Sequence, residues 1–236
     1  MVANLDIRIL LELNFLVAGD SFCARTIQMV GLNPFFRGVL VFFPLTWLWF
    51  SPNSDGRRSR MIVGLLGSAV ATLISLGVQY YLPVHVRPYL DSSIHLYYYP
   101  VPDPAWGGRF DSFPSDTATL YFAFATIIFR EHRLAGWLAF ISSFFTTGVA
   151  RVALAIHYPS DVAGALILGV ASVYLFSRIR PLTGVAQHLL LKWEPRMYIV
   201  DACFSFFIAE AYVLFPGIRG VGHILNFAIR LLTGRH

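Results

Sequence analysis

Apolar residues gather in six runs along the chain, at 35–50, 61–82, 114–129, 134–151, 158–177 and 199–216. The run at 61–82 would extend about 33 Å as a helix, enough to cross a hydrocarbon core of about 30 Å. Several of the others are shorter and would need polar-tipped flanking residues or local thinning of the bilayer. Residues 5–32 follow a different pattern. Leu10, Leu13, Phe15, Leu16, Phe22 and Ile27 are interrupted by Arg8, Glu12, Asn14, Asp20 and Arg25. That mixture predicts a helix lying in the interface, broken near Gly19, rather than a full span. The pattern predicts an all-α polytopic membrane protein, a bundle of about six transmembrane helices with an interfacial N-terminal helix. Three parts are expected: an amphipathic segment 1–34, a membrane core 35–177, and a basic connector, final span and tail over 178–236.

Composition agrees with lipid as the solvent. Of 236 residues, 56% are hydrophobic and 13% charged, against about 25% charged in a soluble domain. The formal charge of +5 does not point to nucleic acid, because the basic residues form no single stripe. They sit in short connections: Arg57, Arg58 and Arg60, then Arg130 and Arg133, then Arg178, Arg180, Lys192 and Arg196. With six spans these fall on one side, which the positive-inside rule makes cytoplasmic. The loop 83–113 and the stretch 151–157 fall on the other. No basic region precedes a small-residue cleavage site, so no cleavable signal peptide is expected. Cys23 and Cys203 lie in separate apolar segments and read as packing residues.

Unusual polar residues collect on that second side. Arg87 follows the second run, Pro114-Ser115-Asp116-Thr117 opens the third, Arg151 closes the fourth, and His157 to Asp161 opens the fifth. Singly, each has an ordinary explanation, as a snorkelling arginine or a helix cap. Together they describe a phosphate pocket containing a nucleophile. His157 and Asp161 are four apart, so the carboxylate can hold the imidazole in one tautomer, and a neutral imidazole is a nucleophile or base. Two arginines from other spans offer planar donors to phosphate oxygens. The helix start at 114–117 adds backbone N–H groups.

These residues resemble the type 2 phosphatidic acid phosphatase superfamily. Its third motif, Ser-Arg-x5-His-x3-Asp, reads here as Ala150-Arg151, His157 and Asp161 at the same spacing, with only the leading serine changed. Its first motif, Lys-x6-Arg-Pro, ends here in Arg87-Pro88 but has Tyr80 for lysine. Its second, Pro-Ser-Gly-His, reads Pro114-Ser115-Asp116-Thr117. The resemblance covers roughly residues 35–177. The Phe113-Pro114-Ser115-Asp116 form looks most like bacterial undecaprenyl-diphosphate phosphatases of the bacitracin-resistance type.

The resemblance implies that His157 attacks phosphorus to form a phosphohistidine and that Asp161 orients it. Arg87, Arg151 and Ser115 would bind phosphoryl oxygens, with Asp116 and Thr117 beside them, and neither metal nor cofactor is implied. The implied substrate is a polyprenyl diphosphate, the implied location a bacterial inner membrane with the site facing outward. Thr117 is the main departure, since the family's histidine there protonates the leaving oxygen. An alcohol needs such an acid, typically worth about 100- to 10,000-fold. A phosphate monoester leaving from a diphosphate does not, because its second pKa is about 6. Thr117 therefore favours a diphosphate. For the second half-reaction three explanations stay open: water activated by Asp111 or Asp116, an acceptor other than water, or an introduced Thr117 that traps an inactive enzyme. Two other functions also stay open, a phosphotransferase to a lipid or glycan acceptor and a non-catalytic lipid-binding or transport protein.

Further candidates are weaker. Arg109 either replaces the missing lysine or is a solvated loop arginine. Tyr80 reads as an interface aromatic, and Tyr97 to Tyr99 as a loop against headgroups. Glu210 is an ionisable group in an apolar run, which is a functional candidate by default. His188 and His223 read as structural. Sequence does not set the oligomeric state.

Overall fold

The computed structural model describes residues 2–52, 56–81, 86–99 and 111–213. The chain divides into two compact units, Met1–Lys192 and Trp193–His236. The first begins with α1 (Val2–Ala18), α2 (Ser21–Leu32) and α3 (Pro34–Phe50). Local chemistry sets their breaks. After Gly19, Asp20 accepts from Phe22 N at 2.9 Å and starts α2, while Asn33 caps α3, with Pro34 in its first turn. Both are side-chain N-caps that satisfy otherwise unpaired N–H groups. The break near Gly19 is where the sequence predicts it.

Helices α4 (Arg57–Tyr81), α5 (Asp116–Glu131) and α8 (Pro159–Arg178) pack against one another and form the centre of this unit. Every residue of α5 from Thr117 to Ile128 is buried, the signature of a helix enclosed on all sides. Glycines permit the close approach. An added Cβ at Gly169 of α8 would lie 2.6 Å from the Thr119 carbonyl oxygen, and one at Gly164 would lie 2.7 Å from Phe113. Small residues of this kind let membrane helices meet backbone to backbone.

The predicted run at 134–151 is not one regular helix. α6 (Arg133–Ser143) passes into a π-helical segment, Phe144–Val149, and then into the single turn α7 (Ala150–Ala153). Such widened turns often occur at functional sites, and this one delivers Arg151. The chain then reverses through Ala155 at φ +53°, a left-handed conformation that costs a non-glycine residue roughly 1–2 kcal/mol. α9 (Arg180–Lys192) completes the first unit; the second contains α10 (Met197–Tyr212).

Among the described residues two helices, Arg57–Tyr81 and Pro159–Arg178, are each long and apolar enough to cross a membrane. The α2–α3 pair, bent by 42°, is a third candidate. Large apolar side chains such as Phe43, Leu134, Ile167 and Leu175 are about two-thirds or more exposed, as expected where lipid is the solvent. The chain is an all-α membrane protein. Its basic connections lie at the end of α4, α5 and α8 opposite the predicted site: Arg60 pairs with Glu131 at 2.7 Å, Arg58 lies over Trp49, and Arg130 over Tyr174.

The N-terminal segment differs most from the sequence reading. Asp6, Leu10, Asn14 and Val17 share one buried face of α1, so two of its polar residues point inward. Asn14 is fully satisfied there: its amide donates to the Tyr98 and Ala153 carbonyls, and its oxygen accepts from Tyr97 N and Tyr98 N at 2.9 Å. Asp6 accepts from Ser160 N at 3.1 Å, at the start of α8. Buried polar groups persist when paired in this way.

The Gly169 contact yields a stability prediction. Gly169→Ala should lower the thermal midpoint in detergent, equivalent to about 1–3 kcal/mol of overpacking. Gly184→Ala, where nothing lies within 4 Å, should be neutral or stabilising by up to ~1 kcal/mol. Equal effects at the two positions would contradict this packing.

Candidate functional site

Backbone geometry assembles the site from four separate stretches. An isolated antiparallel bridge joins Val86 to Asp111, so the chain entering Arg87 runs beside the chain entering Ser112. α4 fixes the next turn, with Ser75 and Gln79 both donating to the Pro114 carbonyl. Ser115 N then donates to the Asp161 carbonyl at 3.3 Å, tying the start of α5 to the start of α8. Tyr89 N donates to the Ala155 carbonyl at 3.1 Å and holds the segment after Arg87 against the turn between Arg151 and His157. Beneath these, Leu10, Ala118, Phe122, Val152 and Val162 form a shared apolar core.

His157 is fully buried in the turn before α8. Its Nδ1 lies 3.1 Å from the Ser112 carbonyl and 3.4 Å from Asp161 Oδ2. Its Nε2 lies 3.1 Å from Ser115 Oγ. A carbonyl oxygen only accepts, so Nδ1 carries the proton and the neutral ring presents its lone pair at Nε2, accepting from the Ser115 hydroxyl. The Asp161 carboxylate is itself positioned, accepting from Tyr158 N at 2.8 Å and hydrogen-bonding the Ser112 side chain. Ser112, which links both partners, is invisible to motif reading on its carbonyl side.

Positive charge converges here. Arg87 and Arg151 are both buried, and each interacts electrostatically with His157 and with Asp116. Arg151 Nε has no hydrogen-bond partner among the described residues. A buried guanidinium costs several kcal/mol unless paired, so an anion is the natural complement. Arg37, on α3, is also buried, and its repulsion is the largest charge–charge effect on Arg151. It was not among the sequence candidates. The available signal was a lone charge within the apolar run 35–50.

The helix-start anion site is smaller than expected. Thr117 N donates to Asp116 Oδ1 at 2.8 Å, Ala118 N to Ser115 Oγ at 3.4 Å, and Ser115 N is engaged with Asp161. Ser115 is the N-cap of α5, and Asp116, in place of the motif glycine, accepts from its neighbour Thr117 N and so occupies a donor the sequence reading left free. Thr117 is buried beside it. Tyr80, at the lysine position, is 75% exposed, and Arg109 lies outside the described residues. Asp111 sits at the bridge to Val86. Glu210 is partly buried in α10 of the second unit, and His188 is exposed on α9; His223 lies outside the described residues.

Comparison with known proteins bears on this geometry. The PAP2 superfamily profile matches residues 61–184, just over half of the chain and inclusive of Arg87, Ser115, Arg151, His157 and Asp161. The chain belongs to the PAP2 superfamily. Among curated relatives, it is 38% identical over 93 residues to the bacitracin transport permease protein BcrC of Bacillus licheniformis, covering 39% of this chain and 45% of that protein. It is 30% identical over 138 residues to the undecaprenyl-diphosphatase BcrC of Bacillus subtilis, covering 57% and 65%. It is also 30% identical over 125 residues to the putative undecaprenyl-diphosphatase YbjG of Escherichia coli, covering 52% and 57%. The chain thus spans less than two thirds of each relative's length. No solved structure matches it.

The surroundings of His157 also set its charge. Burial, followed by repulsion from Arg87 and Arg151, outweighs the stabilising hydrogen bond and charge of Asp161, and its pKa lies below the ordinary 6.5. In histidine-labelled, ligand-free protein, the nitrogen resonances of His157 should therefore titrate with a midpoint below 6.5, the neutral form carrying its proton on Nδ1. Titration at or above that value would contradict the described environment.

Proposed function

We propose that this PAP2 protein is a membrane lipid phosphatase that removes the terminal phosphate of a polyprenyl diphosphate through a phosphohistidine at His157. The observation that carries the reading is the Nε2 lone pair of His157, held by an Nδ1–H bond to the Ser112 carbonyl and flanked by Arg87 and Arg151. The names of two relatives supply the diphosphate substrate.

In this reading Nε2 attacks the terminal phosphorus while the bond to the bridging oxygen breaks. Ser115 turns its hydroxyl from Nε2 to a phosphoryl oxygen, and Arg87 and Arg151 bind the remaining oxygens, supplying charge stabilisation where charge develops. Asp161 stabilises the imidazolium as it forms. The leaving lipid phosphate needs no proton, which accommodates Thr117. Asp116, adjacent to the site, is the base for water in the second half-reaction. A cavity of about 230 Å³ lined by Phe122, Phe144, Val152, Pro159, Val162 and Leu166 among others abuts the residues next to Arg151 and Asp161 and suits an isoprenoid chain.

The six-span arrangement belongs to this proposal, with the site at the outer face of a bacterial inner membrane. The basic connections at the opposite end of the helices support that orientation. Thr117 gives specific support to a second reading, transfer of the phosphoryl group to a lipid or glycan acceptor instead of water.

One experiment addresses both. Purified protein is incubated with polyprenyl diphosphate labelled in the terminal phosphate, with and without candidate acceptors. The label should appear as free phosphate, and His157→Ala should reduce the rate about 1,000-fold or more. Label on an acceptor would establish the transferase. Undiminished turnover in His157→Ala would overturn the proposed nucleophile.

A further inference from the structure

Arg37 lies outside the stretch matched by the family profile and outside all three motifs. It sits in the first turn of α3, in a helix with no other charged residue, and is 3% exposed. Its Nε donates to the Tyr121 hydroxyl at 3.1 Å, and its guanidinium carbon lies 5.6 Å from the centroid of that ring. Tyr121 is one helical turn beyond Thr117 on α5, hence on the same face. From the other side, Thr146 Oγ1 donates to the Arg37 carbonyl at 3.4 Å, from the π-helical segment leading to Arg151. Arg37 is thereby fixed one turn below the residues of the site.

A purely structural role accounts poorly for this charge. Among the described residues no carboxylate pairs with Arg37. A phenol hydroxyl and an aromatic face together contribute roughly 1–3 kcal/mol, whereas burying an ion costs several. Arg37 also acts on a second buried arginine, giving the largest charge–charge effect on Arg151. Two buried like charges held together by the fold are stabilised when a multiply charged anion lies between them.

We propose that Arg37 binds the phosphate that remains on the lipid, forming a second-phosphate subsite that selects diphosphates over monophosphates. This rests on the phosphatase reading above. As the Nε2–P bond forms and the P–O bond to the bridging oxygen breaks, the electron pair stays on that oxygen. Arg37 offsets the growing charge of the departing lipid phosphate, and no proton is transferred. The subsite supplies electrostatically what Thr117 does not supply as an acid, and it stands in for the cation missing at Tyr80.

The test compares purified full-length protein with Arg37→Gln and Arg37→Lys on farnesyl diphosphate and on p-nitrophenyl phosphate, which has no second phosphate. Loss of one charge-assisted contact corresponds to a fall of about 10- to 100-fold. Arg37→Gln should lower kcat/KM for the diphosphate by that factor and change the monoester less than about 3-fold, with partial recovery in Arg37→Lys. Equal losses on both substrates, or no loss on either, would overturn the assignment. A binding arm is independent of turnover: inorganic pyrophosphate should raise the thermal midpoint of the unmodified protein more than phosphate does, and Arg37→Gln should erase the difference. If the unmodified protein hydrolyses neither substrate, the phosphatase reading fails, and the binding arm alone decides for or against Arg37. If Arg37→Gln does not fold, Arg37→Lys decides: a loss confined to the diphosphate supports the subsite and a uniform loss overturns it.

Discussion

The Ser112 carbonyl can only accept a hydrogen bond, and the rest of the site is arranged around that constraint. It places the proton of neutral His157 on Nδ1, so Nε2 faces Ser115 with a lone pair. For the carbonyl to be there, the chain before α5 must lie against the start of α8. The Ser115 N to Asp161 O bond, the Ser75 and Gln79 bonds to the Pro114 carbonyl, and the absence of side chains at Gly164 and Gly169 all serve that approach. α1 reaches the same place from another direction, through Asp6 at the start of α8 and Asn14 at the end of α7. Site geometry and helix packing are therefore one problem in this protein.

Electrostatics supplies the second organising feature. Arg37, Arg87 and Arg151 are buried in a protein whose exterior is apolar, in a setting where unpaired charge is expensive. Asp161 is engaged with His157 and backbone, and Asp116 accepts from Thr117 N while attracting Arg151. The remaining positive potential suits a phosphoryl group and disfavours the imidazolium in the free protein. Burial and this field together lower the pKa of His157 in the free protein; in the proposed attack the arginines would stabilise the negative charge on the phosphoryl oxygens, and Asp161 the positive charge on the ring.

Much of this was legible in the sequence because it depends on local spacing. Arg87, Arg151, His157 and Asp161 lie at the ends of apolar runs, and the short interval between His157 and Asp161 keeps them close, although His157 sits in the turn before α8 rather than on a shared helix face. Other features had no such signal. A backbone carbonyl such as that of Ser112 carries no residue-type information. Asn14 and Asp6 look like solvent-facing interruptions until tertiary contacts satisfy them, and Arg37 disappears into the average of an apolar run. Asp116 reads as a substitution in a phosphate loop, whereas its bond to the neighbouring Thr117 N consumes a donor of that loop. The apolar run 61–82 also missed the first turn of α4, which begins at Arg57 with arginines that bond Leu48 O, Trp49 O and Glu131.

The central claim is that His157 carries the phosphoryl group, and chemical trapping tests it most directly. Protein quenched in alkali within the first turnovers of terminally labelled polyprenyl diphosphate should hold label that is stable to base and labile to acid, mapping to the peptide containing His157. Release of phosphate with no label on the protein, or label on a different residue, would contradict the account.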